Sequence, residues 1–195
     1  MPVLQKFMLF LKTQDKAAFV EAMIACFAAP LIKGLRCGIL LNVSRNGEDM
    51  RLAWRSQKNG LSRRFGVEFE EMSFTERSVI LFIYRTDLLA LHLSGEDTVR
   101  FLENMGYDCA GDFPSGCVKT LIERFRAGMP HEIGVFLGYP LDDVKGFIEN
   151  GGRDSKATGY WKVYGDESYA MRKFDEYRKA ETDVAATTLK EAGYV

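Results

Sequence analysis

A block near the end of the chain constrains the fold most strongly. It runs His131-Glu132-Ile133-Gly134-Val135-Phe136-Leu137-Gly138-Tyr139-Pro140-Leu141-Asp142-Asp143-Val144-Lys145-Gly146-Phe147-Ile148, and after a loop it resumes as Gly159-Tyr160-Trp161-Lys162-Val163-Tyr164. Pro140 suits the first turn of a helix, where its missing N–H costs nothing. Asp142 and Asp143 then fall where the helix dipole favours anions. Leu141, Val144, Phe147 and Ile148 share one face, and Gly151-Gly152 stops the helix. The apolar run before Gly138 reads as a strand over 133–137. The helix covers 140–150, and a second strand covers 160–164.

Similar signals organise the rest of the chain. Asp15 to Ala28 has apolar residues at helical spacing, and Pro30 stops it. Cys37 to Val43 is a continuous apolar run that reads as a strand buried on both faces. Glu48 to Arg64 is a charged helix with Met50, Leu52, Trp54 and Leu61 on its apolar face, and Asn59-Gly60 is a break point within it. Strands follow at 67–72 and 79–84. Short helices run from Thr86 to His92 and from Ser94 to Gly106. A loop from Asp108 to Gly116 leads into a helix over 115–127, and a polar helix or pair of helices fills 168–190. Helices and strands alternate irregularly, which predicts an α+β fold: a mixed sheet of about four or five strands packed with helices. The 195 residues suffice for one core, so residues 1–195 are read as a single compact domain. About 183–195 is read as a loose C-terminal tail.

The composition narrows the function classes. Hydrophobic residues make up 47% and charged residues 27%, which argues against disorder. A net charge of −1 gives no overall attraction to nucleic acid or to an anionic membrane. The run Phe7 to Leu11 is shorter than the apolar core of a signal peptide, and no stretch approaches the roughly 20 residues of a membrane span. These features predict a cytoplasmic protein. The cysteines Cys26, Cys37, Cys109 and Cys117 form no CxxC knuckle. Cys26 and Cys37 have apolar neighbours and read as small buried hydrophobes. Cys109 and Cys117 flank a Gly-Asp-Phe-Pro-Ser-Gly loop and are the pair with redox or metal potential.

Within the block, alternation on a strand places Glu132, Gly134, Phe136 and Gly138 on one face. The two glycines open the backbone there, either to a packed helix or to a flat ligand. The turn at Gly138-Tyr139-Pro140 does not suit phosphate, because Pro140 removes a donor and Asp142 and Asp143 add negative charge. No GxGxxG or GxxxxGK[ST] occurs, and position 135 is valine, so there is no HExxH. His131 is a candidate acid or base; the alternative is a histidine bonded to backbone at the strand entrance. Tyr160, Lys162 and Tyr164 share a face that could stack on a ring, while Trp161 and Val163 read as core.

The block resembles a bacterial family catalogued as domain of unknown function 3793. The residues that carry the resemblance lie at 131–134, 136–140, 142–143, 146–148 and 159–164. Weaker matches are Ala29-Pro30-Leu31-Ile32-Lys33-Gly34-Leu35 and the strand ending Ile83-Tyr84-Arg85. The chain departs from the family pattern at Ala28, where family members often carry cysteine; the nearest thiol is Cys26. The resemblance implies a setting in iron or redox homeostasis.

Three readings follow. The first is a small-ligand-binding or accessory protein, with Glu132, Gly134, Gly138, Tyr139, Tyr160, Lys162 and Tyr164 as the ligand surface. The second is an enzyme that uses His131 as acid or base, with a metal cation near Asp142 and Asp143. The third is a scaffold whose Tyr160, Lys162 and Tyr164 face meets a protein partner. No cofactor is named by any motif.

Overall fold

The computed structural model describes residues 1–74, 78–109 and 111–194. Thr75, Glu76 and Arg77, next to the second predicted strand, Ala110 in the predicted 108–116 loop, and Val195 at the end of the predicted tail lie outside the described residues. The chain is α+β and mainly helical. Its contacts divide it into two compact units. The first comprises Met1–Leu35, Leu40–Ile83 and Asp175–Val195; the second comprises Arg36–Ile39 and Tyr84–Phe174.

The first unit opens with α1 (Val3–Leu11), α2 (Lys16–Phe27) and α3 (Ala29–Ile32). The short run at 7–11 belongs to α1 and buries Phe7, Phe10 and Leu11. Asp15 caps α2 by accepting from the Ala18 N–H at 2.8 Å. Next come β1 (Gly38–Val43), α4 (Arg51–Phe65), β2 (Glu68–Phe74) and β3 (Val79–Tyr84). The strands form an antiparallel sheet in the order β1-β3-β2. The central strand, β3, buries Val79, Leu81, Phe82 and Ile83 completely. β1 is an edge strand and exposes Asn42, so it is not buried on both faces. Trp54 and Leu61 of α4 and Met50 just before it are buried as predicted, but Leu52 is 78% exposed. Gly60 does not break the helix; α4 ends at Gly66, which takes the left-handed conformation at φ 63°.

The second unit contains α5 (Thr86–Leu93), α6 (Glu96–Asn104), α7 (Ser115–Ala127), α8 (Ile133–Phe136) and α9 (Leu141–Glu149). It also contains β4 (Ala157–Thr158) and β5 (Lys162–Val163), which pair antiparallel as a separate hairpin. α10 (Glu167–Glu191) runs on from the second unit into residues of the first. It is one helix. Its residues 183–191, read above as a loose tail, bury Ala185 and Leu189, and Tyr194 packs edge-on against Phe10.

The sheet is smaller than the predicted four or five strands for two local reasons. Residues 133–136 coil into a helical turn, and Lys162–Val163 pairs only with Ala157–Thr158. Among the described residues, no helix is long and apolar enough to cross a membrane.

Candidate functional site

The predicted strand at 133–137 is α8. Glu132 already has helical φ and ψ, and the Leu137 N–H bonds the Ile133 carbonyl at 3.0 Å. A five-residue apolar run is too short to distinguish a buried strand from a buried helical turn. The alternating faces expected of a strand are therefore absent. Gly138 ends the turn at φ 79°, a conformation that favours glycine. A Cβ there would lie 3.2 Å from the Cys37 sulfur. Burial pushes the Cys37 thiol up to about 12, and its sulfur lies 3.6 Å from the Phe136 carbonyl.

The space beside Gly134 is filled by the chain itself. A Cβ on Gly134 would meet Val144 at 2.9 Å and the Tyr139 ring at 3.0 Å. Tyr139 stacks on Trp161 with ring centroids 4.9 Å apart, and its hydroxyl donates to the Tyr160 carbonyl at 3.1 Å. The Arg36 guanidinium lies 5.6 Å from the Tyr139 ring centroid and donates to the Leu137 carbonyl at 2.8 Å. Trp161 in turn meets Phe174 edge-on at 4.5 Å.

Asp143 anchors the second half of the block. One of its carboxylate oxygens accepts from the Trp161 indole at 2.7 Å; the other accepts from the backbone N–H groups of Tyr164 and Gly165, each at 2.6 Å. The side chain is buried, so these three donors replace its hydration. Asp142, by contrast, is exposed beside an open depression of about 430 Å³ that Glu96, Asp97 and Pro140 help line. The two aspartates thus do not converge on one point. Among the described residues, no group of three His, Cys, Asp or Glu side chains could hold a metal ion.

Glu132 is also buried, and sequence reasoning missed its partners. It accepts from the Tyr107 hydroxyl at 3.1 Å and from Arg124 Nε at 2.6 Å. The Arg124 guanidinium lies 5.5 Å from the Tyr107 ring centroid. Burial, reinforced by the Glu132 charge, raises the Tyr107 pKa. The hydrogen bond to Glu132 raises that of Arg124. These partners come from other elements of the unit, and no periodicity in the sequence marks them. His131 is exposed, with its ring edge-on to Phe147 at 5.2 Å.

The remaining side chains lock the hairpin. Trp161 and Val163 are core, as the alternation predicted. Lys162 donates to the Gly152 carbonyl, and the Tyr164 hydroxyl donates to the Arg153 carbonyl at 2.8 Å. The Tyr164 side chain covers Gly146, and the Phe174 ring covers Gly159. Tyr139, Tyr160, Lys162 and Tyr164 are left half-buried, and the Tyr160 ring lies 5.8 Å from that of Phe174.

A model of the family described as protein of unknown function (DUF3793) matches residues 24–194. The chain belongs to that family. No curated protein and no solved structure matches the chain. The DUF3793 match includes the whole of the block, together with α7 and the loop before it.

Proposed function

We propose that the chain is a ligand-binding accessory protein. It presents Tyr139, Tyr160, Lys162 and Tyr164 to a small planar molecule and works in the cytoplasm, in iron or redox homeostasis. The division of labour within the block carries this reading. Glu132, Gly134, Asp143, Gly146 and Gly159 are committed to internal packing and hydrogen bonds, whereas the four rim residues stay half-exposed on that frame. Tyrosines held in place by their neighbours offer flat contact area at low entropic cost, and Lys162 adds a cation beside them. The two buried carboxylates of the block accept from internal donors, Glu132 through one oxygen and Asp143 through both, which favours binding over acid–base chemistry at this site. The four free thiols suit a reducing compartment, and the proximity of two of them supports the redox setting.

The test is mass spectrometry of protein purified without oxygen, native against denatured, with elemental analysis of the same sample. The expected result is a mass excess that disappears on denaturation and is absent from a folded Tyr160→Ala variant. A bare native mass with no bound metal would overturn the reading. So would a mass excess that Tyr160→Ala leaves unchanged.

A further inference from the structure

Cys109 and Cys117 lie outside the block and take no part in the proposed ligand surface. Tyr107 fixes the start of their loop through its bond to Glu132 and its ring contact with Phe136 at 5.4 Å. Asp108 is then held against the start of α7: the Cys117 thiol lies 3.4 Å from the Asp108 carbonyl, and a Cβ on Gly116 would stand 3.3 Å from the same oxygen. The next residue, Cys109, consequently brings its sulfur to 3.3 Å from that of Cys117. A disulfide needs about 2.05 Å, so closure takes only a small further approach. The loop anchors have already supplied most of the ordering that a cross-link requires.

We propose that Cys109 and Cys117 form a reversible redox pair, closing to an intramolecular disulfide by exchange with a low-molecular-weight disulfide. Exposure sets the order of events. Cys109 is partly exposed and Cys117 is fully buried, so the oxidant reacts first at Cys109. An open depression of about 580 Å³ is lined in part by Asp108 and Gly116, the residues that precede Cys109 and Cys117 in the chain. The Cys109 thiolate attacks one sulfur of the small disulfide, breaking its S–S bond. One thiol leaves, taking the proton that Cys109 gave up, and a mixed disulfide remains on Cys109. The Cys117 thiolate then attacks the Cys109 sulfur, and the second small thiol leaves with the proton from Cys117. Two cysteine thiols lose two electrons in total, and one small disulfide gains them.

Burial raises the pKa of both thiols, with neighbouring carboxylates adding to the effect. At neutral pH the pair therefore rests as thiols. Because the thiolate is the nucleophile, the exchange rate rises with pH and is still rising above 9.0, the ordinary value for a cysteine. Cys26 and Cys37 are internal controls: both are buried, and their sulfurs lie against the backbone carbonyls of Glu181 and Phe136 rather than a second thiol.

The experiment treats the folded full chain with oxidised glutathione across a pH series, followed by alkylation of the remaining thiols and peptide mapping. The expected product loses two of its four thiols, links Cys109 to Cys117, and returns to four thiols with dithiothreitol. Cys117→Ser should accumulate one glutathione on Cys109, and Cys109→Ser should not react while folded. A wild-type chain that keeps all four thiols would overturn the proposal. So would one that holds a persistent glutathione on Cys109, or one that links any other pair first.

Discussion

Helices α4 and α9 each carry a glycine in mid-helix, and the two glycines have opposite roles. In α4, a Cβ added to Gly60 would meet nothing within 4 Å. In α9, a Cβ added to Gly146 would lie 2.5 Å from both Cβ and Cγ of Tyr164. The first glycine only weakens its helix, because it gives the unfolded chain extra freedom. The second is a socket that lets a side chain from the 162–165 segment reach the backbone of α9. Gly134 and Gly159 repeat that arrangement with Tyr139 and Phe174. Gly134 and Gly146 are therefore fitted to aromatic side chains of the block itself, and Gly159 to the ring of Phe174 in α10. The function proposed above rests on the parts of the rim side chains that remain half-exposed.

Removing the central anchor should have the largest effect. Asp143→Ala leaves one indole and two backbone donors without their acceptor, and should cost about 3–5 kcal/mol in urea unfolding. A loss below about 1 kcal/mol would mean that water replaces the carboxylate and that the anchor is not central. Gly159→Ala comes next. Its new methyl would stand 2.3 Å from the Phe174 ring, and crowding of this kind costs about 1–3 kcal/mol. Phe174→Leu in the same background should recover part of that loss. Tyr107→Phe should be the mildest, at about 1 kcal/mol, because Glu132 keeps its bond to Arg124.

The sequence showed some of this architecture and concealed other parts, for physical reasons. Long periodic segments and caps were readable: Asp15 starting α2, the apolar run of β3, and Pro140 with its aspartates opening α9. Trp161 and Val163 were readable as core from alternation alone. The turn at 133–136 was not, since five apolar residues fit either period. The extent of α10 was read to within a residue at each end, but not that it is a single helix, because its apolar positions are sparse and its surface is polar. At the candidate site, the glycines and aromatics stood out, but which ring fills which glycine depends on tertiary packing. Glu132 and Asp143 looked like ligand or metal candidates because a buried, internally bonded carboxylate and an exposed one are written with the same letter. Their partners Tyr107, Arg124 and the Tyr164 backbone lie on other segments. The Cys109 and Cys117 pair was visible from its loop, though the 3.3 Å contact was not.

The most direct test of the self-packed block is the same substitution in the two helices, followed by urea unfolding. Gly60→Ala should stabilise the chain by about 0.5–1 kcal/mol, the usual gain for alanine over glycine in an open helix. Gly146→Ala has the same intrinsic gain but must displace Tyr164, so it should destabilise by about 1–2 kcal/mol net. Opposite signs for the two variants are the predicted result. A Gly146→Ala chain as stable as Gly60→Ala would show that Tyr164 does not need the socket, and would contradict the account of the block as a frame fitted to its own side chains.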